Sequence, residues 1–275
     1  MSNIFTIGDK YAAVIDGKTV KRSNRRALER MLKRTEPVQS IFEPVKSDFS
    51  VTQRFDFISK FVKLISKNRI NSLIVTGSPG IGKTHTVNEI LQESGLIEDT
   101  IGETGDYIAI KGHSTAKALY RLLWENNGKV IIFDDADSAF KDPISANLLK
   151  GALDSIPKRV ISWHAEFSES EELPNRFEFT GRVVFISNLS IKDFPQALIS
   201  RSFCVDLSLN MDEKIERIEH IFSKIKADRK TEVLNFIRSN KTKMKDLNVR
   251  MACNTLKLAN SMDEWEDIAL YSMTL

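Results

Sequence analysis

Gly77-Ser78-Pro79-Gly80-Ile81-Gly82-Lys83-Thr84 sets three glycines ahead of a lysine and a hydroxyl in the spacing G-x-x-x-x-G-K-[ST]. That spacing suits one chemistry. Glycines let the backbone curl around an anion with its N–H groups turned inwards, and a following helix adds its positive end. Lys83 then reaches the β- and γ-phosphates of a nucleoside triphosphate, and the Thr84 hydroxyl takes a place on Mg²⁺. The phosphate-binding stretch is read as Gly77, Ser78, Pro79, Gly80, Ile81, Gly82, Lys83, Thr84 and the adjoining His85.

A second run, Val130-Ile-Ile-Phe-Asp134-Asp135-Ala-Asp137, ends an apolar strand in carboxylates. An acid at the carboxyl end of such a strand can hold Mg²⁺, and this role falls to Asp134. Asp135 is read as the group that orients or deprotonates the attacking water. Asp137 reads as a helix cap or a surface group. Three further residues separate a kinase-like transferase from an oligomeric ATPase. Asn188 ends the apolar strand Val183–Ser187, where an amide can meet the γ-phosphate or the water. Arg201 ends a helix-like stretch thirteen residues later, and Arg250 opens a late helix.

The elements needed to position these groups are legible as alternating strands and helices. Strands are predicted at Leu73–Val75, Tyr107–Ile110, Val130–Phe133, Val183–Ile186 and Cys204–Leu207, with helices over Thr52–Lys67, from Thr84 towards Leu91, over Ala116–Glu125 and over Ile144–Leu153. Apolar residues at every strand position suit a parallel sheet covered on both faces. Val160–Trp163 and Phe177–Phe179 read as a strand pair whose aromatics form either a small hairpin core or a projecting grip on a substrate. After Asp206 the pattern is helical, with Ile215, Ile218, Phe222 and Ile225 on one face, then Val233, Phe236 and Ile237, Val249–Leu258 and Trp265–Leu270. Near the start, Tyr11–Ile15 and Thr19–Lys21 flank the turn Asp16-Gly17, and a short helix after Ser23 carries Leu28, Met31 and Leu32. Thr35–Ser50, with Pro37 and Pro44, reads as a linker. The expected division is an appendage over 1–45, a nucleotide-binding α/β domain over 46–207 and a helical lid over 208–275.

Taken in this order, the Gly77–Thr84 loop, the Val130–Asp135 strand, Asn188, Arg201 and Arg250 resemble the Walker A, Walker B, sensor 1, arginine-finger and sensor 2 positions of the AAA+ ATPases, over roughly residues 45–275. Its compactness is similar to small stand-alone members, including those of bacteriophages. The resemblance implies an enzyme hydrolysing Mg-ATP between the subunits of a homo-oligomer, usually hexameric, to remodel a macromolecular client. Arg201 would act on a neighbour's γ-phosphate, with Arg176 and Arg182 in reserve. Many family members carry glutamate where Asp135 stands. A side chain one methylene shorter points to slow hydrolysis.

The client is open between nucleic acid, including a replication complex, and protein. Residues 1–35 hold nine Lys/Arg against three Asp/Glu, a surplus of six; since the whole chain is +3, the other 240 residues carry −3. A basic segment on a mildly acidic body suits nucleic acid, a solvated face or an acidic neighbour equally. The loop Lys111-Gly112-His113-Ser114-Thr115 lacks the aromatic residue that protein-threading relatives commonly place there. Lys111 and His113 are either polymer contacts or ordinary loop polars.

Composition sets the outer bounds. The chain has 275 residues, 41% hydrophobic and 28% charged, which excludes wholesale disorder and allows a core without staples. Apolar runs such as Val130–Phe133 fall far short of the ~18 residues a membrane helix needs. No signal peptide is expected at Met1–Lys10, and the predicted setting is cytoplasmic, the host cytoplasm if the chain is phage-encoded. Cys204 and Cys253 form no disulfide or zinc pattern, and His164 has no metal-ligating companion.

Overall fold

A computed structural model describes residues 5–7, 10–15, 18–22, 24, 47–101, 103–112, 115–164, 172–245 and 247–274. The chain divides into two compact units, Met1–Ile41 and Phe42–Leu275.

In the first unit, β1 (Phe5–Ile7), β2 (Lys10–Ile15) and β3 (Lys18–Arg22) form an antiparallel sheet in that order. Tyr11 faces Arg22 and Ile15 faces Lys18 across the β2–β3 pair, the register expected of a hairpin. β1 is an addition to that expectation, because three residues are too few to display an alternation. The turn at Asp16-Gly17, the helix after Ser23 and the linker residues 35–46 lie outside the described residues.

The second unit is built on five parallel strands. These are β4 (Ser72–Gly77), β5 (Tyr107–Lys111), β6 (Val130–Asp134), β9 (Arg182–Ile186) and β10 (Phe203–Leu207), in the spatial order β10-β4-β9-β6-β5. All six residues of β4 and all five of β6 are buried. Successive side chains alternate between faces, so each central strand feeds two apolar layers. Leu73, Val75, Ile132, Val184 and Ile186 pack under α1 (Val51–Ser66) and α2 (Lys83–Glu93). Ile74, Ile131, Phe133, Val183 and Phe185 pack under α3 (Ala116–Glu125), α4 (Ser138–Lys141) and α5 (Pro143–Ala152). Each such side chain, fully buried, contributes roughly 1.5–3 kcal/mol. This is why the strands tolerate polar residues only near their ends, where the chemistry-bearing groups sit.

Local signals fix the helix starts. Ser50 and Gln53 form a reciprocal capping box for α1. β7 (Val160–Ser162) and β8 (Arg176–Glu178) pair antiparallel. Their aromatics build a core, with Phe177 edge-on to Tyr120 and Trp124 and with Phe179 buried. Buried Arg159 ties this pair down by donating to Ala152 O at 2.7 Å and Gly181 O at 2.9 Å.

After α6 (Gln196–Ile199) and β10, four helices follow among the described residues. They are α7 (Met211–Lys224), α8 (Lys230–Asn240), α9 (Val249–Ser261) and α10 (Trp265–Thr274). They have their own apolar cluster, with Ile218, Phe222, Val233, Ile237, Leu256 and Trp265 buried. Asn210 and Glu213 form the capping box that starts α7. Among the described residues no helix is long and apolar enough to cross a membrane.

Candidate functional site

The glycine-rich loop joins β4 to α2. Gly77 closes β4 against its neighbour: a Cβ there would lie 2.5 Å from the Leu207 carbonyl oxygen of β10, a distance no side chain tolerates. Gly80 has φ +72°, and a Cβ on it would meet Asn248 Oδ1 at 2.8 Å. α2 starts at Lys83 with no side-chain cap and no acid in its first turn. Its leading N–H groups are therefore free to receive an anion.

Lys83 is buried and spends three donors within the loop and on the next strand. Its Nζ donates to Gly77 O at 2.8 Å, Ser78 O at 2.9 Å and Asn188 Oδ1 at 2.8 Å. Burial lowers its pKa to about 8, opposed by the charges of Asp135, Asp134, Asp137 and Asp206. Asn188 follows β9, the strand lying between β4 and β6. Its Nδ2 donates to Asp135 Oδ1 at 2.7 Å. One amide thus links the loop lysine to the second carboxylate of the β6 run.

Asp135 adopts φ +54°, a left-handed backbone that Asp tolerates better than most residues. Partial burial and the neighbouring Asp134 push its carboxyl above the usual range, with Lys83 and the Asn188 bond opposing. Asp134, the last residue of β6, accepts from Thr84 Oγ1 at 2.9 Å. Hydroxyl and carboxylate therefore converge at the loop. This oxygen pair fits Mg²⁺, which favours one or two protein oxygens alongside phosphates and water. No group of three or more His, Cys, Asp or Glu able to hold a metal occurs among the described residues.

Two neighbours of this cluster differ from the sequence reading. Asp137 precedes α4 but makes no side-chain cap; it accepts from Ser187 Oγ at 2.6 Å. Lys111, the last residue of β5, pairs in register with Asp134 and sets Nζ 3.5 Å from its Oδ2. His113 lies outside the described residues.

The loop, β6 and the helices after β10 enclose a cleft of about 720 Å³ lined by Pro79, Gly80, Gly82, Lys83, Thr84, His85, Asp134, Asp135, Asn188 and Arg250 from the predicted set. Arg250 is exposed in the first turn of α9, and its backbone N donates to Gly80 O at 3.2 Å. Its neighbour Asn248 caps α9 by accepting from Met251 N at 2.9 Å. His85 is well exposed, with Nδ1 3.6 Å from Glu89.

Arg201 does not line this cleft. Its carbonyl accepts from Ser72 Oγ at 3.0 Å. Ser72 begins β4 and Gly77 ends it, a separation of roughly 17 Å at about 3.3 Å per residue. The Arg201 guanidinium donates to Ala197 O at 3.0 Å and lies 3.9 Å from Asp154. Arg176 is exposed on β8, and Arg182 opens β9 at the same end of the sheet, donating to Thr180 O. None of the three arginines lines the cleft.

The sequence reading missed the wall that α7 supplies. Arg217, His220, Ile221 and Lys224 line the cleft opposite Thr86 and Glu89 of α2. Their spacing of three and four residues is a helical face, but a polar face reads as solvated until its packing partner is known. Cys253, from α9, also lines the cleft and is not disulfide-bonded.

Fold and cleft together define a P-loop nucleotide-binding protein. The profile of the ATPase family associated with various cellular activities (AAA) matches residues 73–208. The chain is 30% identical over 260 residues to the uncharacterized 36.7 kDa protein in the nrdC-mobD intergenic region of Enterobacteria phage T4, covering 86% of this chain and 78% of that one. Among solved structures it is similar to a single-site variant of RuvB from Thermotoga maritima, at 16% identity and TM-score 0.48, with 81% of this chain and 67% of that chain covered. A chain of the HORMA:CdnC:Trip13 complex of E. coli MS115-1 matches at 12% identity and TM-score 0.45, covering 83% of this chain and 93% of that one. The chain belongs to the AAA family of ATPases.

Proposed function

We propose that this chain binds and hydrolyses Mg-ATP as a subunit of a homo-oligomer, hexameric on the family pattern, and uses turnover to remodel a macromolecular client, nucleic acid or a replication complex. The observation that carries the reading is the Asn188 bridge, which places a phosphate-binding lysine and a carboxylate of raised pKa on the two ends of one amide.

In this reading the Gly77–Thr84 loop and the first turn of α2 take the triphosphate. Thr84 and Asp134 would hold Mg²⁺, which when bound would offset negative charge on the phosphates. Lys83 exchanges its loop carbonyls for phosphate oxygens. Asp135 accepts a proton from water as the water oxygen bonds to the γ-phosphorus. The bond to the β–γ bridging oxygen breaks, leaving ADP and phosphate. A carboxylate whose pKa is raised is a stronger base for that transfer. Asn188, already on Asp135, orients the water or the γ-phosphate. Arg250 closes over the phosphates from α9. Arg201, remote from its own loop, stabilises the charge on a neighbouring subunit's γ-phosphoryl group, a contribution of about 10³–10⁵ in rate for arginines of this kind.

The basic surplus of residues 1–35 is compatible with a nucleic-acid client and does not by itself select one. The alternative is a protein-remodelling chaperone or a structural ATP-binding ring with slow hydrolysis, favoured by the short side chain of Asp135. Phosphate release measured with single-stranded DNA, duplex DNA and RNA at rising salt separates the two. Stimulation that fades steeply with salt supports the nucleic-acid client; turnover indifferent to every polymer removes it.

A further inference from the structure

Arg217 lines the cleft with a guanidinium whose donors are incompletely used. It projects from α7 with its guanidinium 3.4 Å from the centroid of the Phe55 ring on α1. Its Nη2 lies 3.5 Å from Thr86 Oγ1, at the limit of a hydrogen bond, and its buried Nε has no hydrogen-bond partner among the described residues. The pKa is lowered to about 10, by burial, with only the more distant charge of Glu89 opposing. Burying a guanidinium with unused donors is costly unless a ligand completes it.

Its position says which part of a ligand. A Cβ built on Gly82 would lie 3.7 Å from Arg217 Nη2. Gly82 is the last loop residue before α2, and Thr86 is one turn further along that helix. Lys83, Asn188 and Asp135 are joined to one another by hydrogen bonds, and in the proposed reaction the hydrolysed phosphate belongs with them. Loop amides cradle the α- and β-phosphates, and the lysine reaches the β and γ groups. Arg217, beside Gly82 and Thr86, is not hydrogen-bonded to that trio, which leaves it the phosphate that the first turn of α2 receives, the α-phosphate.

We propose that Arg217 binds the α-phosphate of the nucleotide, fixing α7 over the cleft whether the ligand is ATP, ADP or AMP. The inference rests on the reading of the loop as a nucleotide site. Phe55 lies against the guanidinium, 3.4 Å from ring centroid to its central carbon. The contact is distinct from those of Lys83 and Arg250 because it does not distinguish a triphosphate from a diphosphate.

The test is isothermal titration of full-length protein with ATP and ADP, and competition by AMP, using Arg217→Gln, Arg217→Lys and Phe55→Leu. Arg217→Gln is expected to weaken all three nucleotides by a common factor of about tenfold or more, in line with the loss of a charge-assisted bond. Arg217→Lys should recover a large part of that loss, and the salt dependence of ADP binding should flatten in Arg217→Gln alone. Phe55→Leu should stay within about threefold of the wild type, since the cation remains. Three results would overturn the proposal: ADP and AMP affinity unchanged in Arg217→Gln, a loss confined to ATP, or a full loss reproduced by Phe55→Leu with no rescue by lysine. If Arg217→Gln does not fold, the lysine and leucine variants decide by the same criteria. Wild-type protein that binds no nucleotide would instead refute the loop reading itself.

Discussion

Raising the pH should loosen the grip on phosphate through Lys83. Without nucleotide this amine is buried, its pKa lowered to about 8, and its proton is shared among Gly77 O, Ser78 O and Asn188 Oδ1. A phosphate oxyanion against the same atom favours the ammonium and raises its pKa back towards the ordinary 10.5. Between those values the nucleotide-bound protein holds more protons than the free protein, so affinity falls as pH rises through 8. From about pH 7 to about pH 9.5 the fall is about 30-fold, or about 2 kcal/mol. Stability of the free protein runs the other way. With the folded pKa depressed, the unfolded chain binds more protons from about 8 to 10.5, so this group makes the fold more stable as pH rises across that window. Loss of affinity therefore cannot be mistaken for unfolding. The assay is titration of ADP without magnesium, across this range, on the wild type and Lys83→Met. The methionine variant should bind weakly and with no such slope. A wild-type affinity flat to within about threefold would refute the argument that a buried, depressed lysine meets the phosphate.

Three other outcomes follow from the same geometry. Asp135→Asn should keep ATP affinity and lower phosphate release by about 10²-fold or more, since the amide cannot accept the proton; unchanged release would remove Asp135 from its role. Arg201→Ala should bind ATP normally yet lose turnover, and mixing it with Asp135→Asn subunits should restore part of the activity, because one supplies an intact carboxylate and the other an intact arginine. Failure of that complementation would place Arg201 outside the neighbour's site. Gly77→Ala should lower the melting temperature by several degrees, about 2–4 °C per kcal/mol for a chain of this size, because its Cβ would lie 2.5 Å from the Leu207 carbonyl of the adjoining strand; a melting temperature equal to the wild type would mean that β4 and β10 are not so closely apposed.

Features carried by short, contiguous runs were legible in the residues alone. Gly77–Thr84 is one such run, and β6 announces itself by four apolar residues followed by Asp134 and Asp135. Asn188 was legible because a polar amide at the end of an apolar strand stands out. Features that depend on which strand lies beside which were not. The Lys111–Asp134 pair exists because β5 and β6 are neighbours in register. The Ser187–Asp137 bond exists because β9 lies against β6. Neither adjacency is written in a local pattern. The α7 wall was hidden for a different reason. Ile215, Ile218 and Phe222 mark the buried face of that helix, and the charged face opposite, with Arg217 and Lys224, looks like a solvated surface. Only the packing of α7 on Phe55 and Arg54 of α1 turns it towards the loop.

Every proposed role in the cleft depends on the Gly77–Thr84 loop and Lys83 taking the phosphates of ATP. Isothermal titration of the full chain with ATP and magnesium tests it most directly. Saturable binding of one nucleotide per chain is expected, abolished or severely weakened by Lys83→Ala in protein of unchanged secondary structure. Absence of binding by the folded wild type, or equal binding by Lys83→Ala, would contradict it.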